Sequence, residues 1–155
     1  MFADPGFVRY MGGHPLCEED AWLGFLRMPG HWALFDFGTW AIEERKTRRY
    51  IGHVGFTDRR RDLDPPLAGT PEIAWAIAPS FQRQGYGTEA VRAALDWADR
   101  SLPFPATACV VHPDNVVSLR LAAKSGYVYA GRPTYRDEPV VLLMRVVHRA
   151  RTEGR

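Results

Sequence analysis

The sequence predicts an α/β fold of the segregated, α+β kind: a mixed, mostly antiparallel sheet with flanking helices. Three observations carry that expectation. Two pairs of β-rich runs face each other across short polar turns, the pattern of antiparallel hairpins. Only the middle of the chain, residues 72–111, alternates strand, helix and strand as a parallel pair requires. The full element order is α, β, β, β, α, β, α, β, β, with no repeat and no linker that would divide it.

Each element follows from its residues. "FVRYM" reads as a short helical piece closed by Gly12-Gly13. After Pro15, "LCEEDAWLGFLRMPGHWALFDF" opens with Glu18, Glu19 and Asp20, which suit the positive end of a helix. Leu16, Trp22, Leu23 and Leu26 can share one face, and Pro29-Gly30 is expected to break or kink the helix, which could leave it in two pieces. "TWAIEER" and "YIGHVGFTD" form a hairpin around "KTRR". Residues 59–71, with Pro65, Pro66, Gly69 and Pro71, form a loop, and "EIAWAIA" is a strand closed by Pro79. A helix then runs to about Ser101. Its Ala90, Val91, Ala94, Leu95 and Ala98 make an apolar stripe, while Glu89, Arg92, Asp96 and Asp99 lie largely away from it. "FPATACVVH" is an apolar strand. "PDNVVSLRLAAKSGY" is a helix capped by Asp114 or Asn115 and stopped by Gly126. "YVYAGRPTY" and "PVVLLMRVV" close the chain as a hairpin across "RDE".

Composition narrows the function. The 155 residues are one domain's worth, and 46% apolar against 25% charged residues argues against disorder. A formal charge of +2 is too mild to imply a nucleic acid partner. Arg59-Arg60-Arg61 is followed by Asp62 and Asp64 and reads as a solvated loop. Cys17 and Cys109 match no metal or disulfide framework, and Cys109 reads as core. Trp22, Trp32, Trp40 and Trp75 are likewise expected in the core. No apolar run has membrane-spanning length, and "MFADPGFVRY" lacks a signal-peptide profile, so the expectation is a cytoplasmic protein without a membrane partner.

The stretch "APSFQRQGYGTEAVRAALDWADR" places Gly85, Gly87 and Arg83 in front of an amphipathic helix. A helix N-terminus with free N–H groups and positive dipole is an anion site. Glycine lets the backbone approach a phosphate, and Arg83 adds a charge-assisted contact. A turn holding no ligand satisfies the same two glycines. Gly85, Gly87 and Ala90 also match a dinucleotide fingerprint, but Pro79 to Gln84 separate them from the strand and the chain ends as a hairpin, against that fold.

"QRQGYG" resembles the Q/R-x-x-G-x-G/A pyrophosphate loop of GNAT-fold acyl-CoA N-acyltransferases, with Gln82, Gly85 and Gly87 at its defining places. "NVVSLRLAAKSGY" is similar to a helix of the subgroup that acetylates ribosomal-protein N-termini, matching at Asn115, Ser118, Lys124, Gly126 and Tyr127. The resemblance implies that strands 72–78 and 104–111 splay apart as a central parallel pair around acetyl-CoA. It implies that main-chain groups of Ala76 and Ile77 pair with the pantetheine arm. Gln82, Arg83, Gln84, Gly85, Tyr86, Gly87 and Thr88 would hold the pyrophosphate, with Asn115 and Lys124 as further contacts. Ser118 and Ala122, four residues apart, would let the arm lie close to their helix.

The implied reaction is direct attack of a primary amine on the thioester. The amine must be neutral, which a lysine-like amine with a pKa near 10.4 resists more than an α-amino group with one near 8. Glu72, at the start of its strand, and His112, at the end of the neighbouring one, are the candidate bases, each alternatively a strand end or loop cap. A main-chain N–H near Ile77 would stabilise the oxyanion, worth roughly 3 kcal/mol. Many relatives carry a tyrosine acid where this chain has Ala122, and Ser118 could relay a proton instead. Relatives also begin with a strand and a full helix before "DPGFVRYMGG", so the single domain over 1–155 is expected to lack the first strand and part of the first helix. "TWAIEER" would then be an open edge, which leaves a misplaced start, a homodimer or an impaired protein as readings. The acceptor is expected at Gly12-Gly13-His14-Pro15, loop 59–71 and "TYRDEP", with Asp62, Asp64, Asp137 and Glu138 able to receive a cation. A protein N-terminus or small amine is the leading substrate. An aminoglycoside or polyamine, or a non-catalytic CoA-binding relic, is the alternative.

Overall fold

A computed structural model of the chain describes residues 8–10, 14–64, 66–67 and 69–148. The readings at Phe7, Met11, Gly12, Gly13 and Pro65 lie outside those residues. The chain forms two compact units, one from residues up to Thr57 with Ala74–Gly87, the other from Asp58–Ile73 with residues from Thr88 onward.

In the first unit, helix α1 (Glu18–Phe35) starts from Cys17, whose Sγ accepts from the Asp20 N–H, and places Glu18, Glu19 and Asp20 in its first turn. It runs without a break through Pro29, contrary to the expectation of two pieces. Pro29 is exposed, so water can serve the Phe25 carbonyl that loses its N–H partner to the proline. Asp36, in the left-handed region at φ 58°, ends the helix. Strands β1 (Thr39–Glu43) and β2 (Tyr50–Thr57) then pair antiparallel, with Trp40 opposite Val54. β2 is buried from Ile51 to Phe56, which marks a strand covered on both faces. Strand β3 (Glu72–Ile77) passes from the second unit into the first, where the Ala78 N–H donates to the Ile51 carbonyl at 2.8 Å. The strand order here is β1-β2-β3.

In the second unit the order is β3-β4-β8-β5, from β4 (Ala106–Val111), β5 (Val128–Gly131) and β8 (Val141–Val146). β3 and β4 are parallel with Glu72 opposite Ala108, whereas β4–β8 and β5–β8 are antiparallel. The mixed, mostly antiparallel α/β class is therefore as expected. Helix α2 (Tyr86–Ser101) buries Val91, Ala94, Leu95 and Ala98, four of the five stripe residues. Helix α3 (Val116–Lys124) is capped by Asn115, and Gly126 leaves it at φ 84°. The closing hairpin is finer than its sequence pattern. A small pair, β6 (Thr134–Tyr135) and β7 (Glu138–Pro139), branches off across Arg136 and Asp137. Both turn residues have positive φ, as a tight hairpin turn demands.

Asp99 departs from its expected solvated place. The Arg145 guanidinium forks onto its carboxylate at 2.9 and 2.6 Å, and the His148 N–H adds a third bond at 2.9 Å. The Arg145 hydrogen bonds hold the Asp99 carboxyl below its ordinary range, with the His148 N–H assisting. A depressed carboxylate stabilises the fold above its unfolded pKa, near 4, and loses that contribution as pH falls through the folded value. The wild-type chain is thus expected to lose stability on acidification below about pH 4 more steeply than Asp99→Asn, as denaturant titrations across that range would measure.

Candidate functional site

The first unit carries the glycine-bearing loop. After the turn Pro79–Phe81 the Gln82 side-chain Nε2–H donates to the Ile77 carbonyl at 2.9 Å, and the Gln84 Nε2–H donates to the Ser80 carbonyl at 2.9 Å. Gln82 therefore braces the loop on its own strand end, and Gln84 ties it to the preceding turn. Gly85 takes φ 92° with open space where a Cβ would stand. Two residues earlier, Arg83 is held at φ 60°, which a non-glycine residue seldom adopts. Backbone strain of this kind concentrates where a ligand is clasped. α2 begins directly afterwards at Tyr86, so the N–H groups of Tyr86, Gly87 and Thr88 have no acceptor within the helix.

Ahead of this loop, Ala76 and Ile77 are buried. Gly52 on β2 lies so close to Ala76 that a Cβ there would run into the Ala76 carbonyl oxygen. Sequence reading missed Arg49. Its guanidinium carbon stands 5.6 Å from the Phe81 ring centroid, and Phe81 meets Tyr86 edge-on at 6.0 Å. This brings a second arginine beside the start of the loop. Its only sequence signal was membership of the basic turn "KTRR".

In the second unit Glu72 is neither a solvated strand end nor a carboxylate open to solvent. Its side chain is 4% exposed and takes both donors of Arg61, Nε at 2.7 Å and Nη2 at 2.9 Å. Arg59 stands 3.7 Å away. Arg61 also lies 4.6 Å over the Tyr135 ring, with Arg136 at 5.3 Å from the same ring. The expectation of a solvated basic loop is corrected accordingly: two of its three arginines converge on Glu72, and Arg60 turns to Asp58 at 3.2 Å. The pull is Coulombic, since a buried carboxylate without a cation is costly.

His112 has its Nδ1 facing the Asp114 N–H at 3.1 Å. That nitrogen thus accepts a hydrogen bond from the backbone, which leaves Nε2 as the ring's N–H donor. Asn115 caps α3 through Oδ1, which accepts the Ser118 N–H at 3.1 Å. Ser118 is half-buried, Ala122 fully buried and Lys124 exposed at the helix end. Tyr127 bonds Thr107 at 2.7 Å, and burial pushes its hydroxyl well above the ordinary tyrosine range. Cys109 is in the core as expected, its thiol raised by burial and by the Glu72 charge. Asp62, Asp64, Asp137 and Glu138 are all exposed, as is His14. Among the described residues no group of three or more His, Cys, Asp or Glu is placed to hold a metal, and no helix is long and apolar enough to cross a membrane.

The tryptophans depart from expectation. Trp22 is 58% exposed, and Trp32, Trp40 and Trp75 are half-buried. Leu16, Leu23 and Leu26 are exposed as well.

The mixed sheet with its parallel strand pair agrees with what comparison finds. The model of the acetyltransferase (GNAT) domain matches residues 1–128, and the chain belongs to that family. It is similar to the uncharacterized protein YkkB of Bacillus subtilis (strain 168), 26% identical over 106 residues, covering 68% of this chain and 59% of that one. The chain thus spans little more than half of this relative's length. Among solved structures, a GNAT-family acetyltransferase from Bordetella pertussis superposes with a TM-score of 0.78 at 31% identity, over 84% of this chain and 78% of that one. An acetyltransferase from Agrobacterium tumefaciens str. C58 gives a TM-score of 0.75 at 25% identity, over 92% and 79%.

Proposed function

We propose that this chain is an N-acetyltransferase that moves an acetyl group from acetyl-CoA to a primary amine by direct attack. The observation that carries the reading is the loop at the head of α2. Gln82 ties it to Ile77, Arg83 and Gly85 both take positive φ, and an open helix N-terminus follows. That combination fits a pyrophosphate, which the amides of Gln84 to Thr88 and the Arg83 guanidinium would bind. Acetyl-CoA supplies the activated acetyl thioester, and the rest falls to the chain. The roles assigned to Ala76, Ile77, Asn115 and Lys124 follow the family resemblance.

The engaged state of Glu72 and His112 bears on the acceptor. Glu72 has both oxygens on Arg61, and His112 Nδ1 already accepts a hydrogen bond from the Asp114 backbone N–H. On this reading neither takes the amine proton directly, and both act as positioning groups. An acceptor that is partly neutral near pH 8, an α-amino group, then suits the chain better than a lysine-like amine or polyamine. Turnover should rise with pH through the acceptor's own pKa and should favour short peptides over polyamines. Ser118→Ala tests the proton relay: full turnover in that variant excludes it.

Calorimetric titration with acetyl-CoA, with NADH as control, tests the cofactor. Micromolar binding of acetyl-CoA alone is expected. Gly85→Ala forces a side chain into left-handed backbone at about 1 kcal/mol, so affinity should fall between five- and tenfold while the fold persists. Silence from both ligands would sink the reading. Ala122, buried where relatives carry an acid, favours a second reading: a CoA-binding protein without turnover. Tight binding with no product from any peptide or amine would establish it.

A further inference from the structure

We infer that the outward face of α1 is the contact surface of a homodimer, in which two copies of the helix pack antiparallel about a two-fold axis. This goes beyond acetyl transfer and does not depend on it.

The helix is polarised in the opposite sense from an ordinary surface helix. Its half-buried stripe, Ala21, Gly24, Met28, His31 and Trp32, is small and mixed. The stripe toward solvent, Trp22, Phe25, Leu26, Pro29 and Ala33, recurs at helical spacing and is apolar throughout. None of the helix's residues is buried. Trp22 and Phe25 stack on each other at 5.5 Å, with an interplanar angle of 26°. Leu34, 78% exposed, extends the patch toward the C-terminal end.

The area suits a second copy. A half-exposed aromatic offers on the order of 100 Å², and the whole face on the order of 600 Å² per copy; two copies would bury on the order of 1,200 Å², at the threshold of a stable interface. A two-fold contact also requires a self-complementary patch, and an unbroken apolar stripe centred near Leu26 is one. Charge sets the direction. Glu18, Glu19 and Asp20 occupy the first turn, and the last turn has no basic residue. Parallel pairing would stack the acidic turns, whereas antiparallel pairing sends them to opposite ends. The same charges disfavour a lipid surface, because membrane-lying helices carry many Lys and Arg, and this one has only Arg27 against three acids.

Light scattering and sedimentation of the full chain over a micromolar range test the proposal. The wild type should be a dimer. Leu26→Glu and Trp22→Glu should each weaken association at least roughly a hundredfold, as interface-centre substitutions do. Neither removes a buried contact, so the far-ultraviolet spectrum should be unchanged, and their Tm, unlike that of the wild type, should not rise with concentration. Tyr129→Glu, on the exposed face of β5, should leave the dimer intact. A monomeric wild type, a dimer that survives Leu26→Glu, or one that dissociates on Tyr129→Glu would each overturn the assignment.

Discussion

Arg61→Ala is expected to lower the unfolding free energy by about 3 kcal/mol, the low end for breaking a buried ion pair. The reason lies at the other end of the contact. Glu72 sits at the start of β3, 4% exposed, and its two oxygens are satisfied by Arg61 Nε and Nη2. Removing the guanidinium leaves a charge in a place where water is scarce. Arg59, 3.7 Å away, would recover part of the loss, which is why the low end applies. Replacing both partners with apolar groups, Arg61→Met with Glu72→Met, removes the stranded charge as well as the pair. That double variant should therefore come back to within about 1–2 kcal/mol of wild type. Denaturant midpoints at an unchanged m-value would measure both. A drop below about 1 kcal/mol for Arg61→Ala would mean that Glu72 behaves as a surface carboxylate, and its standing as a candidate base would revive.

The contrast between Glu72 and the glycine loop shows what a sequence can and cannot display. The loop, its helix and the Asn115 cap are local: each signal lies within a few residues of the group it positions, so reading them in order was enough. The hairpin of β1 and β2 was legible for the same reason, through alternation on either side of a polar turn. The Arg61–Glu72 pair spans a proline-rich loop, and no periodic pattern ties one to the other. Arg61 looked like one charge in a basic run, and only the folded chain reveals that this run turns inward. α1 failed differently. Its apolar stripe was visible at Trp22, Leu23 and Leu26, but periodicity reports that a stripe exists, not that protein covers it. Pro29 misled because it faces outward, where water can serve the carbonyl that the missing N–H leaves without a partner. The short β6–β7 pair was merged into longer strands because Arg136 and Asp137 reach positive φ without a glycine to mark the turn.

Gly52→Ala is expected to be among the most damaging single-methyl changes in the first unit. A Cβ at Gly52 would meet the Ala76 carbonyl oxygen well inside contact distance, with the Ala76 carbonyl carbon and Ile77 Cα each at 3.1 Å. All three are backbone atoms of β3, so no rotamer change can relieve the clash. β2 and β3 must move apart, at a cost of about 3 kcal/mol, the upper end for overpacking. Gly55→Ala is the matched comparison, since its Cβ would strike the Gly38 carbonyl on the side of β1. It should cost a similar amount. The two should differ in ligand binding, because Ala76 and Ile77 are the main-chain groups proposed to hold the pantetheine arm and Gly38 is not. Calorimetry under conditions where both variants remain folded should therefore find acetyl-CoA affinity reduced roughly tenfold or more in Gly52→Ala and near wild type in Gly55→Ala. Equal losses in both would mean that affinity follows general stability, and the role proposed for Ala76 would be withdrawn. Gly24→Ala, in α1 with nothing within 4 Å of its Cβ position, should do the reverse of either. It adds helix propensity without a clash and should stabilise the chain by about 0.5–1 kcal/mol, evidence that the losses at Gly52 and Gly55 come from close strand approach rather than from replacing glycine as such.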